Sequence, residues 1–562
     1  MRSPNRRTTI AVIIATVLLA VTTVAGSAAP TPQPVATLAP DAPPVGLHLS
    51  TAKLETVLDA WRTAEGSAKK KIITEVEIDD TTAYGLSGVT RIVSTGDDYR
   101  ETDTRGPVTT SFGRFHGQRW RLNENGILID QIGVHKRDQV DNQALRVATS
   151  APTKDVTLAG EVDTPSPAFV LKVNPPDGRL EWLLIDKKTS LLDTEIEAYP
   201  ERRLTITYGD YRLLDGEMRA WHTHYADGMP ENDFDYRVTS DSFNVPVSDS
   251  DVAIPQSGAP IVTFPAGAAP VRLPGSVTGG TVVVRLTING RGLDFALDSG
   301  AGGIVLDSEV AKEIGVKTFG RSIQTTAGSY EATEAVIPEI GIGPITMRNT
   351  YVECLPFSQK LDYGTKIVGL LGFDFIANAV VNVDYDQGIV TATAPDQFTP
   401  PTSGVQLGAI LDDGVPYVQV QVGNATGQHF ILDTGSDAVV IFSAFADAHP
   451  DDVADEGLGR SVNAIVPFLS ASGVGGEIPE TLTQVASYHF GAVNFTDFLL
   501  FRTHGHTAFE GEDEDGLVGY DVLRYFSVTL DYRNGEVYLQ PGRVLKSYQK
   551  ATPAPSPHRK TP

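Results

Sequence analysis

Two short segments of one 562-residue chain read almost alike: Phe295-Ala296-Leu297-Asp298-Ser299-Gly300 and Phe430-Ile431-Leu432-Asp433-Thr434-Gly435. Each is an apolar strand end that delivers one aspartate into a tight turn. A lone Asp-Ser/Thr-Gly triplet carries little weight, since about 0.3 would arise by chance in a chain this long. The pair carries more, because each opens a longer matching unit. Unit one begins with alternating Val282, Val284, Leu286 and Ile288 and turns at Asn289-Gly290; unit two begins with Tyr417 to Val422 and turns at Gly423-Asn424. That chemistry predicts a β-hairpin in each.

The far ends match more closely. Gly369-Leu370-Leu371-Gly372-Phe373-Asp374 answers Gly516-Leu517-Val518-Gly519-Tyr520-Asp521, and Val383-Asp384-Tyr385 answers Leu530-Asp531-Tyr532, all at an offset of 147, whereas the aspartates differ by 135. Unit two therefore holds about a dozen extra residues, expected near Asp447 to Gly459. An internal repeat of this kind outranks local signals in deciding the fold.

The remaining chain is long enough for further units. Hydrophobic residues make up 41% and charged residues 20%, as in ordinary globular protein, and 53 Gly with 36 Pro favour turn-rich β architecture. The net charge of −25 argues against a nucleic-acid partner, which needs clustered Lys and Arg, and could attract basic substrates. The single cysteine, Cys354, permits no intrachain disulfide and sits in an alternating strand pattern, where it reads as a small buried apolar residue.

In chain order, residues 1–29 have export features: Arg2, Arg6 and Arg7, an uncharged apolar run from Ile10 to Ala25, and small residues after it. The expected destination is periplasmic or extracellular, with an N-terminal membrane anchor as the alternative. Residues 30–47 read as a flexible spacer. Residues 48–254 combine a helical segment (Leu54, Val57, Leu58, Trp61) with many alternating strands, which predicts an antiparallel curved sheet carrying the helix. Residues 255–275 are a Pro-rich linker in which Ile261 to Phe264 could dock on a neighbour. Residues 276–397 and 412–545 are the two repeat units, 398–411 joins them, and 546–562 is a disordered tail. His222 and His224 share a strand face, yet two surface histidines are the plainer reading, and no metal is expected. His504-Gly505-His506 reads as surface, and the acidic run Glu510 to Asp515 as a solvated loop.

The repeat units resemble tandem retropepsin-type (pepsin-like) aspartic protease lobes of the bacterial exported kind. The carriers are the apolar-Asp-Ser/Thr-Gly turns and the later Leu370-Leu371-Gly372 and Leu517-Val518-Gly519 segments. The N-terminal region loosely resembles the LolA/LolB-like lipoprotein-sorting half-barrel, on Tyr208-Gly209-Asp210-Tyr211-Arg212, Asp215-Gly216, His222-Thr223-His224 and Phe243-Asn244-Val245-Pro246. The composite implies a mainly β protein: a half-barrel-like sheet with helix, then two β lobes about a pseudo-twofold axis.

The resemblance also implies an aspartic endopeptidase that needs no cofactor. Two carboxylates at hydrogen-bond distance cannot both ionise, so one keeps its proton while the other draws a proton from a shared water. Asp298 and Asp433 would be that pair, titrating as a unit. Ser299 and Thr434 would hydrogen-bond across to the opposite turn, and Gly300 and Gly435 would allow close approach. Gly372 and Gly519 would pass behind the aspartate turns. Ser436 would offer a hydroxyl to the carboxylate in unit two, where unit one has Ala301. Flap hairpins fall near Gly328 and Tyr330 in unit one, and near Gly473, Gly475 and Gly476 in unit two, with Tyr330 a candidate to reach the pair.

The implied partner is a polypeptide substrate, with a lipid or peptide ligand possible for the N-terminal domain. A second reading is an exported peptide- or lipid-binding protein with a catalytically silent protease-like fold. A third pairs each unit with its copy in another chain; the short connector and unequal units favour a monomer.

Overall fold

The computed structural model describes residues 39–66, 71–131, 154–199, 202–267, 270–325, 329–357, 359–360, 364–453, 469–473, 476–504 and 513–546. The export segment, half of the spacer, nearly all of the tail, and residues 454–459 of the segment expected to hold the insert lie outside these residues.

The protein is mainly β. Its N-terminal part is one large curved antiparallel sheet of 13 strands built from two meanders. The first runs outward from Thr74–Ala83 to Leu128–Gln131; the second returns from Val156–Val162 to Phe234–Phe243. They join where Thr74–Ala83 pairs with Phe234–Phe243, with Val76 opposite Ser242. Burial alternates along Thr74–Ala83, as the pleat requires. The helix Leu54–Glu65 lays Val57, Leu58 and Trp61 on Leu171, Leu183 and Ile185. His222 and His224 both turn to Asp235, at 2.9 and 3.3 Å.

Each repeat unit follows one scheme. In unit one the hairpin Thr281–Ile288/Arg291–Leu297 turns at Asn289-Gly290, both with positive φ. Its second strand then runs parallel to Lys366–Leu371, with Leu297 opposite Leu371. In unit two Val415–Val422/Ala425–Leu432 does the same beside Gly516–Val518, with Leu432 opposite Val518. Cys354 is buried in unit one, and burial pushes its thiol up to about 12.

The units share a third sheet. Val380–Asp384 of unit one pairs antiparallel with Phe526–Asp531 of unit two, Val383 opposite Val528. Across this seam the Asn382 amide donates to Ser527 Oγ and Thr529 Oγ1 at 3.0 and 2.9 Å. One apolar cluster runs through both units, from Val284 and Phe295 to Phe430 and Val518. Segments read as connectors add short strands: Val262–Thr263 pairs with Ile345–Leu355, and Val405–Gly408 with Glu536–Pro541.

The N-terminal sheet docks on unit one through two asparagines that mimic a strand edge. Asn125 donates to the Tyr351 carbonyl at 3.2 Å and accepts from the Tyr351 N–H at 2.7 Å. Asn232 does the same to Ile323, at 2.7 Å in both directions. Around them the Arg321 N–H donates to the Tyr84 carbonyl at 2.9 Å, Arg321 pairs with Glu231 at 3.1 Å, and Asn123 donates to Asp374 at 2.9 Å.

Candidate active site

Both aspartates emerge where a strand stops. The Asp298 N–H donates to the Leu371 carbonyl at 3.1 Å, and the Asp433 N–H to the Val518 carbonyl at 3.0 Å, so each aspartate is the last residue held by its parallel neighbour. Beyond that point the chain must turn, and the following Ser/Thr-Gly does so against its counterpart in the other unit.

The two turns lock together by a crossed set of four bonds. Ser299 Oγ donates to the Leu432 carbonyl at 2.6 Å and accepts from the Thr434 N–H at 2.9 Å. Thr434 Oγ1 donates to the Leu297 carbonyl at 2.8 Å and accepts from the Ser299 N–H at 3.1 Å. All four are buried, so each hydroxyl satisfies backbone groups that water does not reach. Gly372 and Gly519 lie behind the turns. A Cβ on Gly372 would strike the carbonyl oxygens of Gly303 and Ala301, and one on Gly519 those of Ala438 and Ser436. The same packing is clamped by Phe373 N–H to the Ala301 carbonyl and Tyr520 N–H to the Ser436 carbonyl, both 2.9 Å.

Asp298 and Asp433 are 0% and 2% exposed. Asp298 Oδ1 accepts from the Gly300 N–H at 2.9 Å, while its Oδ2 is buried with no donor among the described residues. Asp433 Oδ1 accepts from the N–H groups of Gly435 at 2.7 Å and Ser436 at 3.2 Å. The two buried carboxyls act on each other's ionisation, and a pair this close does not carry two full charges. Burial raises both; the Asp433 charge raises Asp298 further, and backbone N–H donors oppose the rise at Asp433. Backbone N–H donors of Gly300 and Ala301 oppose the rise at Asp298 as well, and the pair titrates as one.

Several expected contacts fall elsewhere. The Ser436 hydroxyl does not reach the carboxylate: it donates to the Ala438 carbonyl at 3.0 Å, and only its backbone N–H serves Asp433. Ala301 in unit one is therefore no loss of a carboxylate contact. Tyr330 is engaged within its own flap. Its ring packs with Ala301, Ala332 and Leu355, and its hydroxyl donates to Gln324 Oε1 at 3.0 Å. The flaps are hairpins, Thr318–Thr325/Ser329–Ile342 and Leu469–Gly473/Gly476–Phe490, with Gly473 opposite Gly476. Gly328 and Gly475 lie outside the described residues. In the acidic run, Glu514 is buried and accepts from the Tyr417 hydroxyl at 3.1 Å, and Asp515 accepts from the His429 N–H at 2.8 Å. These two residues are structural anchors, not part of a solvated loop.

Two tyrosines join the site that sequence reading did not single out. The buried Tyr532 hydroxyl donates to the Ser299 carbonyl at 3.1 Å. Tyr385 holds the same place in unit one; its hydroxyl is buried and finds no partner among the described residues. The signal was present, since both lie in the segments matching at an offset of 147.

The family described as aspartyl protease matches residues 284–375, within unit one. No curated protein matches the chain. Among solved structures, a retropepsin-like aspartic protease from Rickettsia conorii is 18% identical, covering 22% of this chain and 90% of its own, with a TM-score of 0.17. An aspartic proteinase from Irpex lacteus is 13% identical over 49% of this chain and 98% of its own, TM-score 0.30. A LolA superfamily protein from Nitrosomonas europaea is 13% identical over 36% of this chain and 99% of its own, TM-score 0.26. Among the described residues, no helix is long and apolar enough to cross a membrane.

Proposed function

We propose that the protein is an exported aspartic endopeptidase in which Asp298 and Asp433 together activate one water. The observation that carries this reading is the crossed Ser299/Thr434 lock, which brings two buried carboxyls together. In the reaction the ionised carboxylate of the pair takes a proton from water as it attacks the peptide carbonyl. Its protonated partner donates to the carbonyl oxygen as charge develops there. Collapse of the tetrahedral intermediate returns a proton to the leaving amine and restores the pair.

A single chain supplies both halves, and the shared sheet through Val383 and Val528 supports an intrachain site. The binding-protein reading has no use for two buried carboxyls brought together at crossed turns. The test is cleavage of casein or a peptide library from about pH 3 to about pH 7. Either Asp298→Asn or Asp433→Asn is expected to lower kcat/KM by about three orders of magnitude or more while circular dichroism stays that of the parent. Turnover of Asp433→Asn comparable to the parent would exclude a shared site.

A further inference from the structure

Besides meeting unit one at the flap, the N-terminal sheet reaches a point directly behind the first aspartate turn. The contact is made where the strand Gln118–Leu122 turns back into Leu128–Gln131. Asn123 shapes that turn: its Oδ1 accepts from the N–H groups of Asn125 at 3.1 Å and Ile127 at 2.9 Å. The same side chain keeps its amide N–H groups for another partner, and it donates to Asp374 Oδ1 at 2.9 Å. Both residues are buried, 4% and 2% exposed, so water does not replace this bond when it is lost.

Asp374 belongs to the short helix Phe373–Ile376, which starts right after Gly372. The Phe373 N–H holds the Ala301 carbonyl at 2.9 Å, in the loop that follows Asp298. Asp374 Oδ2 lies 3.5 Å from where a Cβ on Gly303 would stand, so its carboxyl rests against the same loop. The Phe373 ring lies 6.1 Å from that of Tyr532, whose hydroxyl holds the Ser299 carbonyl. Unit two meets this point as well. A Cβ on Gly414 would strike the Phe373 ring at 2.7 Å, and the neighbouring Asp413 faces Arg121 of the N-terminal sheet at 3.7 Å. The counterpart of Asp374 at the offset of 147 is Asp521, which is half-buried where Asp374 is enclosed. The brace from outside the repeat falls on the Asp298 side.

We infer that Asn123 is a positioning residue for the Asp298 turn, which it holds through Asp374, so that the N-terminal sheet completes the site. This rests on the protease reading of the carboxyl pair. The chain of contacts runs from the Asn123 amide to the Asp374 carboxyl, and from Phe373 and Gly303 to the loop that sets where Asp298 stands.

The test uses the full chain and a peptide substrate. Asn123→Ser keeps an acceptor oxygen for the turn and removes the amide that meets Asp374. It is expected to lower kcat about tenfold with KM within about twofold of the parent, since no group that would bind substrate is touched. The exchanged pair, Asn123→Asp with Asp374→Asn, puts the amide on the other partner and should return kcat to within about threefold. Amide exchange at Phe373 should quicken in Asn123→Ser and recover in the exchanged pair. Exchange at Tyr520, whose N–H makes the matching bond in unit two, should stay unchanged. An unchanged kcat in Asn123→Ser, a loss confined to KM, unchanged exchange at Phe373, or an exchanged pair as impaired as the single variant would overturn the inference. Should Asn123→Ser not fold, Asp374→Ser breaks the same bond from the other side and is read by the same measures. If the parent cleaves no peptide, the protease reading fails, and exchange at Phe373 alone decides whether the N-terminal sheet holds the loop after Asp298.

Discussion

At the scale of single residues, the site depends on how closely two turns can approach. A Cβ placed on Gly300 would lie 2.9 Å from Asp433 Cγ and little more from both its carboxylate oxygens. Gly300→Ala must therefore move the Asp433 carboxyl, and it does so without disturbing the crossed hydroxyl lock. We expect kcat/KM to fall about 100-fold or more, with the unfolding midpoint nearly unchanged. Parent-like turnover would show that the pair tolerates separation. The aspartates, their hydroxyl neighbours and the glycines behind them were legible because the repeat presents each of them twice. The Ser436 and Tyr330 contacts were not. A hydroxyl takes whichever acceptor the local turn brings near, here a carbonyl two residues on, and no residue pattern encodes that choice. Tyr330 was drawn inward by an apolar cluster whose members are scattered from Val283 to Leu370.

At the scale of elements, the informative piece is the flap strand Thr318–Thr325. It ends the sheet of unit one, so its outer backbone groups would face water as an open edge. Instead Ile323 is bonded in both directions by Asn232, and the Arg321 N–H by the Tyr84 carbonyl. The N-terminal sheet thereby restrains the flap of unit one. Asn232→Ala removes both bonds at Ile323. The expected result is faster amide exchange at Ile323, with exchange in the strand Val415–Val422 of unit two unchanged. Unaltered exchange at Ile323 would mean that the edge is held by other contacts. The hairpins on either side were predictable from alternation and turn chemistry. The partner of the edge was not, because Asn232 belongs to the unrepeated part of the chain and sits in a short turn with no distinguishing pattern.

At the scale of the whole molecule, the seam between the N-terminal sheet and unit one gathers acids. A cavity of about 80 Å³ there is lined by Tyr84, Asp103, Arg105, Glu124, Glu334 and Glu353, among others. Burial pushes Glu334 and Glu353 up to about 7; Arg105 opposes this at Glu334, and Gln324 opposes it at Glu353. Burial also holds Asp374 at about 7, against the amides of Asn123 and Asn125. A raised folded-state pKa means that the folded chain keeps protons the unfolded chain has released. Stability from these groups is present in acid and is lost as pH rises toward and past 7. The unfolding midpoint should therefore be higher near pH 5 than near pH 8, as calorimetry would read. Self-repulsion from a net charge of −25 acts in the same direction, so Glu334→Gln is the deciding arm: it should narrow the gap. A gap left at full width would assign the effect to net charge alone. The sheet-plus-helix character of this region was readable from strand alternation and one amphipathic segment. Its docking was not, since few of the contacting residues are apolar or periodic. Asn125 and Asn232 grip the main-chain N–H and C=O of Tyr351 and Ile323, which every amino acid but proline offers alike. The junction therefore divides unequally under mutation: the protease-like side can drift at those two positions with the seam intact, while the N-terminal side depends on two amides that few other side chains can imitate.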